Sequence, residues 1–241
     1  MTYILVTGSS RGIGAAATQL LRERGVQVIE HQSRSSDPER LSADFSDTMA
    51  ARRLWDEAMD RSGGQITAVV NNAGLFEANP IEASDLEWLD NWEDTLRINL
   101  TAAAQISRFA IRHWQHETPD DQGIRGRLVH VASRAAYRGD SPAHWHYAAA
   151  KGGMVAMHKT IARAYAKEGI VSFAVTPGFT DTAMAGDYLE SRGGAGLLAD
   201  IPLGRVATPE EIGRIIAFCA LDAPASMTGA VIDANGASFV R

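Results

Sequence analysis

Thr7-Gly8-Ser9-Ser10-Arg11-Gly12-Ile13-Gly14 is the stretch on which the fold turns. Before it stands Tyr3-Ile4-Leu5-Val6, a short apolar run of strand-forming residues; after it Ile13, Ala17, Leu20 and Leu21 recur at helical spacing. A strand, a glycine-rich turn and an amphipathic helix in that order form a dinucleotide-binding unit. Glycine allows the tight turn and the close approach of backbone to a pyrophosphate, whose charge the free N–H groups and dipole of the helix start then hold. A ligand-free turn is the plain alternative, and the flanking strand and helix weigh against it.

Outward from this unit, short β-rich runs alternate with longer segments of helical periodicity, the pattern of βαβ units and a parallel sheet. Strands are expected at about 2–7, 26–31, 41–45, 66–71, 126–132, 170–176 and 228–234, and helices at about 13–24, 47–62, 84–90, 92–116, 144–167 and 209–220. With no repeat, low-complexity tract or linker, residues 1–241 read as one α/β Rossmann domain with a doubly wound, seven-stranded parallel sheet. Only His31-Gln32-Ser33-Arg34-Ser35-Ser36-Asp37-Pro38-Glu39-Arg40 joins the second strand to the third, too short for the usual crossover helix.

A hydrophobic share of 45%, a charged share of 22% and a net charge of −6 describe an ordinary globular chain with no basic surface for nucleic acid. The lone Cys219 sits in an apolar helical run and reads as a small buried side chain, and a single cysteine forms no internal disulfide. No segment approaches the ~20 apolar residues of a membrane span. The first residues read as a strand rather than a leader, so a cytoplasmic protein is expected.

Further motifs follow in order: Asn71-Asn72-Ala73-Gly74 after the fourth strand, Asn99 within Arg97-Ile98-Asn99-Leu100, Ser133, then Tyr147-Ala148-Ala149-Ala150-Lys151, and Pro177-Gly178-Phe179-Thr180-Asp181-Thr182. With the G-x-x-x-G-x-G spacing of the first loop, these make the chain resemble the short-chain dehydrogenase/reductase family over essentially its whole length. The tail from Pro202-Leu203-Gly204-Arg205 to Thr228-Gly229-Ala230-Val231-Ile232-Asp233 is similar to that of the 3-oxoacyl-(acyl-carrier-protein) reductase branch. The resemblance implies hydride transfer between a nicotinamide cofactor and a carbonyl or secondary alcohol. Its site residues would be Asn99, Ser133, Tyr147 and Lys151. Cofactor contacts would come from Gly8, Ser10, Arg11, Gly12, Ile13, Gly14, Arg34, Asp44, Phe45, Asn71, Ala73, Gly74, Tyr147, Lys151, Pro177, Gly178, Thr180 and Thr182. It further implies a homotetramer or homodimer built through the helices near 92–116 and 144–167, and a small carbonyl, alcohol or acyl-thioester substrate.

These residue types suit the chemistry. Reducing a ketone needs a proton donor to oxygen as hydride reaches carbon. A phenol titrates near 10, and Lys151, four residues after Tyr147 on the same helix face, would favour its ionised form. Ser133 falls at the carboxyl edge of the sheet and would hydrogen-bond the substrate oxygen. By the resemblance, Asn99 holds a water that links Lys151 to solvent. Ser133 and Tyr147 are fourteen residues apart, one more than is usual in the family, and Ser141 in the intervening loop is the rival serine.

Two cofactor readings stand. The position that would be acidic in an NAD site is Gln32 or Ser33, and Arg11 and Arg34, with Ser33 and Ser35, would bind a 2′-phosphate, which favours NADP. Glu30, two residues earlier, would favour NAD if the strand ended sooner. Neither His144 and His146 nor His113 and His116 gain the carboxylates or thiolate of a metal site, so no metal is expected. His144, Trp145 and His146 are expected beside the substrate, Trp88 and Trp92 in the core or an interface. Met184, Tyr188 and Leu189, near Gly193, Gly194 and Gly196, suggest a lid. A dinucleotide-sensing regulator on the same fold is the reading from another class; retention of Tyr147 and Lys151 speaks against it.

Overall fold

The computed structural model describes residues 2–34, 37–182 and 194–241. β1 (Tyr3–Val6) enters α1 (Gly12–Glu23) through the glycine-rich turn, and β2 (Gln27–Gln32) and β3 (Arg40–Ser42) follow. Next come α2 (Ala50–Ser62), β4 (Ile66–Asn71) and α3 (Asp85–Leu96), which passes through one π turn, Arg97–Thr101, into α4 (Ala102–Trp114). β5 (Gly126–Val131), α5 (Ala135–Arg138), α6 (Trp145–Tyr165) and β6 (Ile170–Pro177) follow. The chain closes with α7 (Gly194–Ala199), α8 (Pro209–Leu221) and β7 (Val231–Ala234).

The seven strands form one parallel sheet in the order β3-β2-β1-β4-β5-β6-β7. From β1 the chain builds outward to β3, then returns to the other side of β1 with β4. The carboxyl ends of β1 and β4 therefore flank the point where strand order reverses, which is where open α/β sheets bind ligands.

Period-two alternation sends neighbouring side chains to opposite layers, and both layers are covered, so the strands read as continuous apolar runs. Leu5, Leu54, Trp55, Ile106, Trp114 and Leu128 pack on the face covered by α2 and α4. Ile4, Val6, Leu21, Phe173, Ile212 and Ile216 pack on the face covered by α1 and α8. α8 begins with a full capping box, Thr208 and Glu211 exchanging hydrogen bonds around Pro209. Cys219 is buried on α8, where burial pushes its thiol up to about 12, as its apolar run leads one to expect.

Three details differ from expectation. β3 has three residues rather than five, and among the described residues of its connection there is no helix, only a turn, because the span is too short to hold one. The helices expected at 84–90 and 92–116 run together as α3, the π turn and α4. Trp88 and Trp92 are not core residues. They are half-buried, stack on each other with ring centres 5.2 Å apart, and Trp88 meets the exposed Trp145 edge-on. No described helix is long and apolar enough to cross a membrane.

Candidate active site

The carboxyl edges of the strands open into a cleft of about 540 Å³ that runs from the end of β2 to the start of α6. At its centre lies the glycine turn. Gly8 and Gly12 adopt φ of +65° and +55°, values that L side chains avoid, and Gly14 is packed against backbone: a Cβ there would sit 2.1 Å from the Gly8 carbonyl oxygen. The first turn of α1 carries no acidic side chain, so its partial positive charge faces the cleft uncompensated by a side chain.

The turn is fastened to the end of β4. Thr7 Oγ1 accepts from the N–H groups of Asn72 and Ala73, both at 3.0 Å, and Asn72 Nδ2 donates to the carbonyls of Thr7 and Gly8 at 3.0 and 2.9 Å. It is fastened to β2 by His31, which sequence reasoning missed. Gly8 N–H donates to His31 Nδ1 at 3.2 Å, so the opposite nitrogen carries the proton and donates to the Ala43 carbonyl at 2.8 Å. The ring stacks on Phe45 with centres 4.6 Å apart, and burial pushes its pKa down to about 4, which keeps it neutral. The only signal for it was a polar residue at an inward position of an apolar strand.

At the β2 end the cleft is lined by Gln32, Ser33, Arg34, Asp44 and Phe45, with Arg11 across it. Arg34 Nη2 lies 3.7 Å from Asp44 and is mostly exposed. Two bonds from Ser46, with Arg34 nearby, hold the Asp44 carboxyl below its ordinary value. Glu30 is elsewhere. β2 continues to Gln32, and Glu30 is buried away from the cleft, paired with Arg22 at 2.6 Å and Arg40 at 3.1 Å.

At the other end Ser133, two residues past β5, stands opposite Tyr147 in the first turn of α6, and its hydroxyl hydrogen-bonds the phenol. Lys151, one turn on, is buried; its ammonium donates to the Val131 carbonyl at 2.8 Å and lies 5.7 Å from the Tyr147 ring centre. Burial pushes Lys151 down to about 8 and Tyr147 up to about 12, the Ser133 bond opposing the second shift and Asp140 adding to it. A phenol depressed by its lysine is therefore not what the protein's own groups produce, because desolvation of the phenolate outweighs the ammonium.

Asn99 occupies the π turn, a local widening that recurs at functional sites. Its amide clamps Leu75 at both ends, accepting from N–H at 2.8 Å and donating to C=O at 2.9 Å. Gly74 separates it from the lysine: a Cβ on Gly74 would come within 2.7 Å of Asn99 Oδ1 and 3.6 Å of Lys151 Nζ.

Of the residues singled out in the sequence, all but two line this cleft. Asn99 stands behind its wall, and Asn71, expected among the cofactor contacts, turns its side chain away to Ser107 and His130; strand alternation puts Asn72 there instead. Ser141 bonds His144 Nδ1 at 2.6 Å and is not at the phenol. The extra residue between Ser133 and Tyr147 falls in the stretch that holds α5 and the loop after it. His144 backs the cleft through Phe76, stacked with ring centres 4.0 Å apart, while His146 faces Trp92. Ser35 and the segment of Met184, Tyr188, Leu189 and Gly193 lie outside the described residues. Among the described residues no group of three or more metal-binding side chains assembles.

A family model described as enoyl-(acyl carrier protein) reductase matches residues 8–236. The chain is similar to the 3-oxoacyl-(acyl-carrier-protein) reductase FabG of Vibrio cholerae, 32% identical over 98% of this chain and 96% of that one. It is likewise similar to FabG of Pseudomonas aeruginosa, 32% identical, and of Escherichia coli, 29% identical, each over 98% of this chain and 96% of the relative.

Proposed function

The chain belongs to the short-chain dehydrogenase/reductase family, and from that premise we propose that it reduces a carbonyl, in first place a 3-oxoacyl thioester, with NADPH, using Ser133, Tyr147 and Lys151. The observation that carries the reading is the Ser133–Tyr147 hydrogen bond at one end of a cleft whose middle is an open helix start and a glycine turn. The residues present fit a dinucleotide: the glycines leave room for a pyrophosphate, and the cleft is long enough for both nucleosides. Bound nicotinamide supplies or accepts the hydride. Ser133 holds the substrate oxygen, Tyr147 gives it a proton, and Lys151 replenishes the phenol, Asn99 keeping the lysine in contact with solvent through a water.

The acyl-thioester preference is drawn from what the three relatives are named for. A panel of acetoacetyl thioesters, simple ketones, hydroxy acids and sterols, followed by nicotinamide absorbance, tests it. Acetoacetyl thioester should be turned over fastest; a faster simple ketone or sterol overturns that preference and leaves the reductase assignment intact.

NADP is favoured because Glu30 is turned from the cleft and paired, while Arg11 and Arg34 flank the β2 end. Each charge-assisted bond to a 2′-phosphate contributes about 1.5–3 kcal/mol. NADPH should bind at least about tenfold tighter than NADH, and Arg11→Ala with Arg34→Ala should remove most of that margin. Equal or tighter binding of NADH in calorimetry would sink the assignment.

Lys151 gives the reaction its pH limb. With the ammonium titrating near 8, the charged form predominates below that value and is lost above it. The rate of carbonyl reduction should therefore be level at lower pH and fall as pH rises through about 8. Lys151→Arg, charged throughout, should lose the limb. A profile level to pH 10 would exclude this role. The family reading further proposes a cytoplasmic homotetramer or homodimer associating through α4 and α6, for which the Ala102–Ala104 and Ala148–Ala150 patches allow close helix approach; elution as a monomer in size-exclusion chromatography with light scattering would reject the assembly.

A further inference from the structure

Behind Lys151, between the sheet and the α4/α6 layer, lies a group of buried polar side chains that the proposed chemistry does not use. Asn71 on β4, Ser107 on α4, His130 on β5, His158 on α6 and Ser172 on β6 are all buried, His130, His158 and Ser172 with no exposed surface. Lys151 and His158 are seven residues apart, two turns along the buried stripe of α6.

The hydrogen bonds of this group have a direction. The Ser107 hydroxyl donates to the Ala103 carbonyl at 2.7 Å, so its oxygen accepts from Asn71 Nδ2 at 3.0 Å. The second hydrogen of that amide points to His130 Nδ1 at 3.3 Å. His130 Nδ1 is thus an acceptor, and its Nε2 must carry the proton. That Nε2 has no partner among the protein's groups, nor has Nε2 of His158, whose Nδ1 bonds Ser172 Oγ at 2.8 Å, nor Asn71 Oδ1. The two imidazole centres are 5.9 Å apart with the rings tilted at 58°. Two hydrogen bonds of about 2.9 Å meeting at a water oxygen span about 4.7 Å, the order of the gap between facing ring edges at that separation.

We infer that His130 and His158 bind an internal water between them, with Asn71 Oδ1 as a further acceptor for the buried hydration, and that this water positions and solvates the catalytic lysine from behind. Three orphaned polar atoms in one buried cluster would each cost the fold a lost hydrogen bond, whereas a water with two to four polar partners satisfies them. It accepts from His130 Nε2–H and donates to His158 Nε2, which makes His158 the Nδ1–H tautomer, donating to Ser172. Both rings stay neutral: burial pushes His130 down to about 3 and His158 below its ordinary value. The titratable groups acting on His130 are His158 and Lys151, and the facing residues of β4, α4 and β6 are uncharged. A neutral, hydrated chamber adds dipoles but no rival cation next to Lys151, so it moderates the burial that lowers the lysine. The link to catalysis rests on the reading of Lys151 above; the water itself does not.

Two measurements separate those parts. In the folded protein labelled with 15N-histidine, long-range proton–nitrogen spectra should show His130 as the Nε2–H tautomer and His158 as Nδ1–H, both unchanged from pH 6 to 9. Hε2 of His130 should give a cross-relaxation peak to water. An Nδ1–H His130, an imidazolium at pH 6, or no water contact overturns the site, whatever the enzyme does. Next, the pH profile is measured for His130→Leu and His130→Gln. Leucine dries the chamber, so the limb near pH 8 should move down by roughly half a unit or more while the cofactor KM holds; glutamine, which can accept and donate, should restore it. Loss of stability alone would not move the limb. An unmoved limb in His130→Leu rejects the positioning role while leaving the water in place, and if leucine does not fold, glutamine and the tautomer spectra still decide.

Discussion

Tyr147→Phe is expected to abolish carbonyl reduction while leaving the cofactor bound. The substitution deletes one oxygen. The ring keeps its edge contact with Phe76, 4.8 Å between centres, and the lysine over its face, so neither the start of α6 nor the cleft is disturbed. What goes is the proton donor that Ser133 aligns. A positioned general acid is worth about 10²–10⁴ in rate, and the loss in kcat should fall at or beyond the top of that range because no neighbour takes over. Ser133 is a far weaker acid, and Lys151 points to the Val131 carbonyl. NADPH binding by fluorescence titration should stay within about threefold, since the phenol is one contact in a long cleft. A variant that keeps a tenth of wild-type kcat would dismiss Tyr147 as the acid. One that loses both kcat and cofactor binding would make the residue structural.

Gly14→Ala should do the reverse, removing cofactor binding and some stability together. The new methyl would stand 2.1 Å from the Gly8 carbonyl oxygen and 2.5 Å from Asn72 Nδ2. Neither atom is free to yield. The Gly8 carbonyl accepts from that same Asn72 amide at 2.9 Å, and Gly8 N–H is tied to His31. Relief requires α1 to withdraw from the turn, which opens the anion site and breaks the stitching between β1 and β4. Overpacking of this kind costs about 1–3 kcal/mol, a fall of roughly 2–10 °C in melting temperature for a chain of this size. Cofactor affinity should drop at least about a hundredfold, because backbone amides that no longer converge lose the pyrophosphate. Gly196→Ala, where an added Cβ meets nothing within 4 Å, is the control and should show neither effect. Unchanged affinity in Gly14→Ala would mean that the glycine turn is not the phosphate site.

The two substitutions show why the site was legible at such different depths. Gly8, Gly12, Gly14, Ser133, Tyr147 and Lys151 could be named from the chain because their roles follow from residue type at fixed local spacing: backbone without Cβ at a helix start, a phenol and an amine one turn apart. His31 could not, since its value comes from bonding Gly8 and Ala43, twenty-three and twelve residues away. Asn71 was misread for the same reason. Adjacent asparagines look alike in sequence, but strand alternation sends Asn72 to the glycine turn and Asn71 to the chamber behind the lysine.

For the fold, alternation of apolar strands with amphipathic helices specified a parallel sheet, the number of strands and most boundaries, because hydrophobic period is a local property that burial on both faces imposes on each strand separately. The too-short second crossover was also readable, as chain length limits it. The sequence by itself thus determined the parallel α/β fold, the phosphate loop and the Tyr-Lys pair. Only the tertiary structure decided that Glu30 belongs to Arg22 and Arg40 rather than to the cleft, that the phenol's burial outweighs its neighbouring ammonium, and that two histidines far apart in the chain face each other behind Lys151. Each of these depends on which distant elements come together and how much water they exclude, and electrostatics responds to that surrounding, not to the order of residues.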